Sequence, residues 1–379
     1  MNAPIEGQPP EGKHSGEHHP ATRRLGDLQK AITMAQIAKA AGVSQGAISS
    51  LLNDRDYGIR VSEKTRERVF KVCREMGYIP NDLRAVVRMY PELGDFCILI
   101  SQRFSAGMAD PWVSGVVETA MEATAAASFS LSVGRYEEGT DYTTETTALP
   151  PALQTGVASK YILLGGANPS LLQALARRGF PAVALGQDFA TSNVLSLVPD
   201  YQQASQIALA ALFDAGHRDI AIVSGPFGET EPETIELHRG IRLGSEDAGI
   251  SLDPKNIIYS DKSFEAGVSA LETLMQSPTP PTAVFCITNT LAAGVLAGAQ
   301  ARGLKVPGDL SIVGFGTRPG GAFTAPALTT VEFPVGPMTR RAVAAMEELL
   351  REGASGAARK EVFSVIWVPG GTCGRVHHT

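Results

Sequence analysis

The chain has 379 residues, 44% hydrophobic and 19% charged, with a formal net charge of −6. That length exceeds one ordinary core, so two or three globular domains are expected. No segment offers the roughly 18 uncharged apolar residues of a membrane span, and the opening MNAPIEGQPPEGKHSGEHHP has no apolar run for secretion, so a cytoplasmic protein without membrane contact is expected. Cys73, Cys97, Cys286 and Cys373 are scattered without metal-ligand spacing, which argues against zinc and disulfides; no metal or cofactor is expected.

Residues 1–32, rich in Gly, Pro, His and charge, lack apolar periodicity and read as a disordered arm. Charge is then distributed unevenly. Residues 33–90 hold ten Lys/Arg against six Asp/Glu, whereas the remainder after residue 90 holds 19 against 29. A basic module ahead of an acidic body concentrates attraction for phosphate at one end.

Three short helices punctuate residues 33–80. Thr33 with Gln36 is a capping-box start, Ile37, Ala38 and Ala41 form an apolar stripe, and Gly42 ends it. Ser44 caps a second helix whose apolar side is Ala47, Ile48, Leu51 and Leu52. Its other side offers Gln45, Gly46, Ser49 and Ser50, small or polar enough to meet base edges in a major groove. Asn53 and Asp54 break it. A third helix starts after Ser62, turns Val69, Val72, Cys73 and Met76 inward, and stops at Gly77 and Pro80.

The run T-M-x-x-I-A-x-x-A-G-V-S-x-x-x-I-S-x-x-L-N, followed by V-S-E-K-T-R-E-R-V and M-G-Y-I-P-N, closely resembles the amino-terminal helix-turn-helix of the LacI/GalR bacterial regulators. The resemblance implies a hinge at 81–94 that places an apolar residue in the minor groove. By position Val87 matches the hinge leucine, Arg84 replaces a usual alanine, and Ser50 replaces an arginine common in relatives. Arg55 and Arg60, in a lengthened loop, are offered as compensation. The residues expected at DNA are Thr33, Ser44, Gln45, Gly46, Ser49, Ser50, Asn53, Arg55, Arg60, Asn81, Arg84 and Val87.

From Asp95 onward short apolar runs alternate with amphipathic stretches, which means α/β with parallel sheets covered on both faces. Expected strands are 96–101, 129–133, 161–165, 182–186, 219–225, 257–260, 283–288, 311–315 and 364–368; 137–156 is the least readable connection. DPWVSGVVETA, AGHRDIAIVSGP, AVFCITNTLAAG, VPGDLSIVGFG and PALTTVEFP make this body resemble the same family's two-lobed core, a periplasmic-binding-protein-like fold of two Rossmann-like lobes. The resemblance implies lobe one over about 95–195 plus 317–333, lobe two over 196–316 plus 334–379, and a small-molecule effector between them.

Where relatives that bind sugars or purines carry an arginine and two aspartates, this chain has Leu237, Asn289 and Gly316. Carboxylates and guanidinium forks give sugar hydroxyls several matched hydrogen bonds, so an ordinary sugar is disfavoured. The other candidates for the effector are Ser101, Arg103, Asp110, Trp112, Asp188 and Arg318.

The function implied is a DNA-binding regulator of repressor type, a homodimer on a pseudo-palindromic operator. The alternatives are a soluble small-molecule-binding protein, and a regulator that has lost effector control. No enzyme is expected: LLGGANP, VSGPFGE and GFGTRPGG lack a phosphate-loop pattern, and His217 and His238 have no nucleophile arranged beside them.

Overall fold

The computed structural model describes residues 32–53, 61–78, 80, 83–143, 149–166, 168–189, 194–225, 231–250, 252–317, 324–352 and 359–376. All but the last residue of the expected arm lies outside them. The chain divides into two units, Met1–Ile79 and Pro80–Thr379. Among the described residues no helix is long and apolar enough to cross a membrane.

In the first unit, α1 (Met34–Ala41) starts with the Thr33/Gln36 capping box and ends where Gly42 takes φ 65°, the left-handed conformation glycine tolerates. α2 (Gln45–Asn53) follows after a short turn, and α3 (Glu63–Met76) starts at the Ser62 cap. Ile37, Ile48, Leu52, Val69 and Cys73 form its core, joined by Phe70, which the helical spacing had left outside. The Arg66 guanidinium stands over the Phe70 ring, 5.6 Å from its centre.

The second unit opens with α4 (Leu83–Met89), which occupies the expected hinge. Lobe one follows: β1 (Asp95–Ser101), α5 (Pro111–Ala126), β2 (Leu131–Tyr136), α6 (Pro151–Thr155), β3 (Ala158–Leu164), α7 (Pro169–Ala176), β4 (Ala182–Leu185) and β5 (Leu195–Pro199). Lobe two holds α8 (Tyr201–Asp214), β6 (Ile220–Ser224), α9 (Pro232–Asp247), β7 (Ile257–Tyr259), α10 (Phe264–Leu274), β8 (Ala283–Cys286), α11 (Asn289–Ala301), β9 (Ser311–Gly316) and β10 (Thr329–Glu332). α12 (Val335–Glu352) and β11 (Arg359–Phe363) return to lobe one, and β12 (Ile366–Val368) ends in lobe two.

The sheets run β11-β5-β4-β3-β1-β2 and β12-β10-β9-β8-β6-β7, with every described pairing parallel except β10–β12. Alternate residues of β3 serve opposite cores: Tyr161 and Leu163 pack on one face of the first sheet, Ile162 and Leu164 on the other. On lobe two, α9 lies so close to α8 that a Cβ on Gly240 would come within 2.3 Å of the Gln202 carbonyl oxygen.

This topology corrects the expected lobe boundaries. The chain crosses after Pro199, at 333–334 and at 364–365, rather than near 195, 316 and 334. β10 was expected in lobe one, but it pairs with β9 from Thr329↔Val313 to Glu332↔Gly316 and extends the second sheet. α12 was expected in lobe two, but its Met338, Ala342, Ala345 and Met346 are buried against the first sheet. The third crossing also shortens the strand expected over 364–368 to Ile366–Val368. The strand expected from residue 129 starts at Leu131, because Phe129 turns aside to pack on Phe96 at 5.6 Å.

Candidate functional site

The head presents one helix face to solvent. Ala47, Ile48 and Leu52 are buried, which leaves Gln45 exposed and Gly46, Ser49 and Ser50 half-exposed on the other side of α2. The Ser44 hydroxyl accepts the Ala47 N–H at 3.1 Å and fixes the start of that helix. Thr33 is exposed, and its N–H donates to Gln36 Oε1 at 2.8 Å. Lys64, Arg68, Lys71 and Arg74 are exposed on α3. Arg55, Arg60 and Asn81 lie outside the described residues, as do the side chains of Asn53 and Arg84.

Val87 is not where the hinge reading put it. It is 2% exposed and packs in one core of lobe one with Cys97, Leu99 and Tyr161. The cause is the way α4 is tied down. After it, a tight turn at Pro91–Leu93 is held by the Ser159 hydroxyl, which donates to the Pro91 carbonyl, and by the buried Lys160 ammonium, which donates to the Glu92 carbonyl at 3.0 Å and to that of Gly94. Burial pushes the Lys160 pKa down to about 8, while its ammonium sits 3.9 Å from the Phe129 ring centre.

The second candidate site is a cavity of about 760 Å³ lined from both lobes. Asp110, Trp112, Leu237, Asn289, Gly316 and Arg103 all reach it. Its aromatic wall is built round Phe333 at the second crossing, with Trp112 at 5.1 Å, Phe315 at 4.7 Å and Tyr201 at 6.0 Å between ring centres. The Tyr201 hydroxyl reaches back to lobe one and donates to the Gly186 carbonyl at 2.6 Å.

Arg103 ties the two lobes together. It forks onto Glu138 of its own lobe, Nε to Oε1 at 2.7 Å and Nη2 to Oε2 at 3.1 Å, while Nη1 reaches Glu231 at 3.1 Å and Glu233 at 3.5 Å across the cleft. Gln187 of lobe one donates to Glu233 at 3.2 Å, and Lys262 of lobe two pairs with Glu231 at 3.0 Å. Against the opposing effect of burial, hydrogen bonds from Arg103, Ser101 and the Gly166 N–H hold the Glu138 carboxyl below its ordinary range. Burial, reinforced by the neighbouring Glu231, pushes Glu233 above it.

Two expected cleft residues do other work. Ser101 is fully buried outside the cavity lining; its hydroxyl donates to Glu138 and so orients the partner of Arg103. Asp188 is also absent from the lining, because it pairs with Lys360 of β11 at 2.9 Å. Asp110 lines the cavity, yet its carboxylate accepts the Trp112 and Val113 N–H groups at 2.8 and 3.2 Å and caps α5. Arg318 lies outside the described residues. Asn289 Oδ1 accepts the Thr330 hydroxyl at 2.7 Å, and its buried Nδ2 has no partner among the described residues. Glu138, Gln187, Glu231, Glu233 and Lys262 were missed by sequence reasoning. Each is an ordinary polar residue in its local sequence, and only the topology brings them together.

A family model for bacterial regulatory proteins of the lacI family matches residues 33–81, and one for a periplasmic binding protein-like domain matches residues 209–373. The HTH-type transcriptional repressor CytR of Escherichia coli (strain K12) is 31% identical over 317 residues, spanning 81% of this chain and 86% of that protein. The chain belongs to the LacI family. Catabolite control protein A of Priestia megaterium is 27% identical over 80% of this LacI-family chain and 88% of its own length. Among solved structures, the complex of the transcriptional regulator CelR with cellobiose matches with a TM-score of 0.60 at 23% identity, covering 90% of this chain and 99% of that one. A lac repressor dimer bound to operator and the anti-inducer ONPF matches with a TM-score of 0.61 at 22% identity, again over 90% and 99%. These structural likenesses bear on the fold: a helix-turn-helix head followed by two parallel-dominated α/β lobes.

Proposed function

We propose that this LacI-family chain is a sequence-specific transcriptional repressor that reads operator DNA through α2 and is controlled by a small molecule held between its lobes. The observation that carries the reading is the division of α2 into a buried apolar side and a solvent side made of Gln45, Gly46, Ser49 and Ser50. Those side chains are short enough for a close approach to base edges, and Gln45 supplies a donor and an acceptor for adenine. Arg55 and Arg60 are proposed as phosphate contacts, and Asn53, Asn81 and Arg84 as further DNA contacts.

One such helix contacts few bases, so two copies on a pseudo-palindromic operator are proposed, acting in the compartment that holds the chromosome. The effector would bias lobe closure through the cavity that both lobes line. Relatives are named as transcriptional repressors or regulators, and no catalytic role is assigned to any residue here.

Recovery of the DNA bound by the full chain across its own genome, followed by competition binding on the recovered site, tests this. Gln45→Ala should change which base is preferred by about 1–3 kcal/mol. Arg60→Ala should weaken all sequences alike and reduce the salt dependence. Equal effects of the two on every sequence would refute the assignment of roles.

A further inference from the structure

We infer that the cleft selects a compact aromatic cation, with its ring against the Trp112–Phe333 wall and its ammonium group at Glu233. The inference rests on reading the cleft as the effector site and names the chemistry of what enters it.

Charge is the first ground. Among the described residues, three carboxylates around Arg103, those of Glu138, Glu231 and Glu233, meet two cations, Arg103 and Lys262. The surplus is local to Glu233. The shorter contacts of Arg103 go to Glu138 at 2.7 Å and Glu231 at 3.1 Å, and Lys262 pairs with Glu231, so the nearest described cation to Glu233 is Arg103 at 3.5 Å; the other partners of Glu233 are the neutral Gln187 amide, its own backbone N–H and the carboxyl of Glu231. Burial first, then the charge of Glu231 and the hydrogen bond shared with its carboxyl, push the Glu233 carboxyl up against the opposing pull of its backbone N–H and of Arg103, so the site favours a proton, or another positive group, on Glu233. An anionic ligand would add to the surplus, whereas an ammonium would remove it.

Shape is the second ground. Trp112, Tyr201, Phe315 and Phe333 line the same cavity with rings fixed against one another, a surface that a flat apolar body covers well and a hydroxyl-studded ring does not.

An unpaired polar group is the third, independent ground. Asn289 is 9% exposed, lines the cavity, and has its Oδ1 held by Thr330 while Nδ2 is buried without a partner among the described residues. Thr317 Oγ1, also in the lining, is in the same position. Buried donors left unmade are costly, so the ligand should bring a hydroxyl or carbonyl to them. A ring with an ammonium arm and a polar substituent meets all three demands.

The test is calorimetry on the full chain with probes that share one ring and differ in charge: tyramine, its alcohol counterpart tyrosol and its acid counterpart 4-hydroxyphenylacetate, with glucose as the polyol. Tyramine should bind at least about 30-fold more tightly than tyrosol, and the acid and glucose more weakly still. E233Q should shrink the preference for tyramine over tyrosol to a few-fold, whereas E246Q, at an exposed surface pair, should leave it unchanged. N289L should weaken tyramine but not phenethylamine, which lacks the ring hydroxyl. Equal binding of tyramine and tyrosol, tighter binding of the acid or glucose, or no binding by any amine overturns the inference, and this charge series needs no variant to fold. Operator binding is read on the same preparation. A chain that holds operator but prefers the acid or the sugar loses only the ligand class, while one that binds tyramine and no DNA keeps the ligand class and loses the regulator reading.

Discussion

The head and the cleft place their exposed functional groups on very different foundations. In the head, one small core of residues such as Ile37, Ile48, Leu52, Val69 and Cys73 supports α2, and the helix ends are fixed by Thr33, Ser44 and Ser62. The cleft is bounded by two lobes with separate cores, one on each face of the first sheet and one round the second. A damaged core should therefore remove the head's function by unfolding it, whereas the cleft can lose a cross-lobe contact while both lobes stay folded. Small domains bury a smaller fraction of their surface and have less margin.

The largest expected effect tests the head side of that contrast. Ile48 is fully buried in α2, so Ile48→Ala should cost about 3 kcal/mol, from lost burial and the cavity left behind. Hydrogen exchange should show the amides of α1 to α3 exposed while those of the two sheets stay protected, and operator binding should fall with them. Protection lost throughout the chain would mean that head and body do not fold as separately as their cores imply.

On the cleft side, Arg103→Ala removes a side chain that grips Glu138 in its own lobe and Glu231 and Glu233 in the other. About 1–2 kcal/mol of the closed arrangement should be lost, since the groups are only partly buried. Fluorescence energy transfer between labels on the two lobes should report opening, with sheet protection in hydrogen exchange unchanged. Unchanged transfer efficiency would show that the aromatic wall round Phe333 and the Gln187–Glu233 and Tyr201–Gly186 hydrogen bonds set closure without Arg103.

These two regions were also unequally legible in the sequence. The head is written locally: a cap, a stripe and a stop follow one another within a few residues, so Thr33, Gly42, Ser62 and Gly77 could be read from spacing. Val87 could not, because its burial depends on Ser159 and Lys160, more than 70 residues later. In the body, apolar runs revealed most strands, but not β5, β10 or β11. LSLVP and TTVE are short and mix polar with apolar residues, while RKEVF lies at a sheet edge with charged residues facing out. Missing β10 and β11 also misplaced the lobe boundaries. The Arg103 cluster was hidden for the same reason, as its carboxylates come from two segments, Glu138 in lobe one and Glu231 with Glu233 at the start of α9, that only the crossings bring together.

Thr33→Ala sharpens the comparison at a smaller scale. The capping box holds two of the unpaired N–H groups at the start of α1, and its removal should cost about 1 kcal/mol. In a domain with so little margin this should still lower the head's midpoint in urea, followed by exchange of α1 amides. The equivalent loss in lobe one, Asn168→Ala at the start of α7, should scarcely move that lobe's midpoint relative to its total, although Asn168 Nδ2 also donates to the carbonyls of Glu137, Glu138 and Thr140. A lobe-one midpoint that falls as far as the head's would show that these carbonyls, rather than the cap, decide the outcome.

The smallest expected effect concerns acid and belongs to lobe two. His217 is 2% exposed; Nδ1 meets the Thr282 hydroxyl at 2.9 Å, and Nε2 lies 3.0 Å from both Ser311 Oγ and the Gly374 carbonyl. The carbonyl can only accept, so the neutral ring carries its proton on Nε2 and joins the carboxy-terminal segment to the sheet. Burial lowers the His217 pKa below the ordinary value of 6.5, with the Gly374 hydrogen bond opposing only in part. The unfolded chain then takes up its proton first as pH falls. The contribution of His217 is fully present above about pH 6.5 and declines below it, until the folded ring also protonates. His238, whose pKa burial also lowers, acts in the same direction. Urea midpoints of lobe two compared at pH 7.5 and 5.5 should therefore fall, and fall less in His217→Gln. The head has no described histidine, so its exchange should be nearly flat over that interval; an equal decline in the head would assign the acid sensitivity to carboxylates instead.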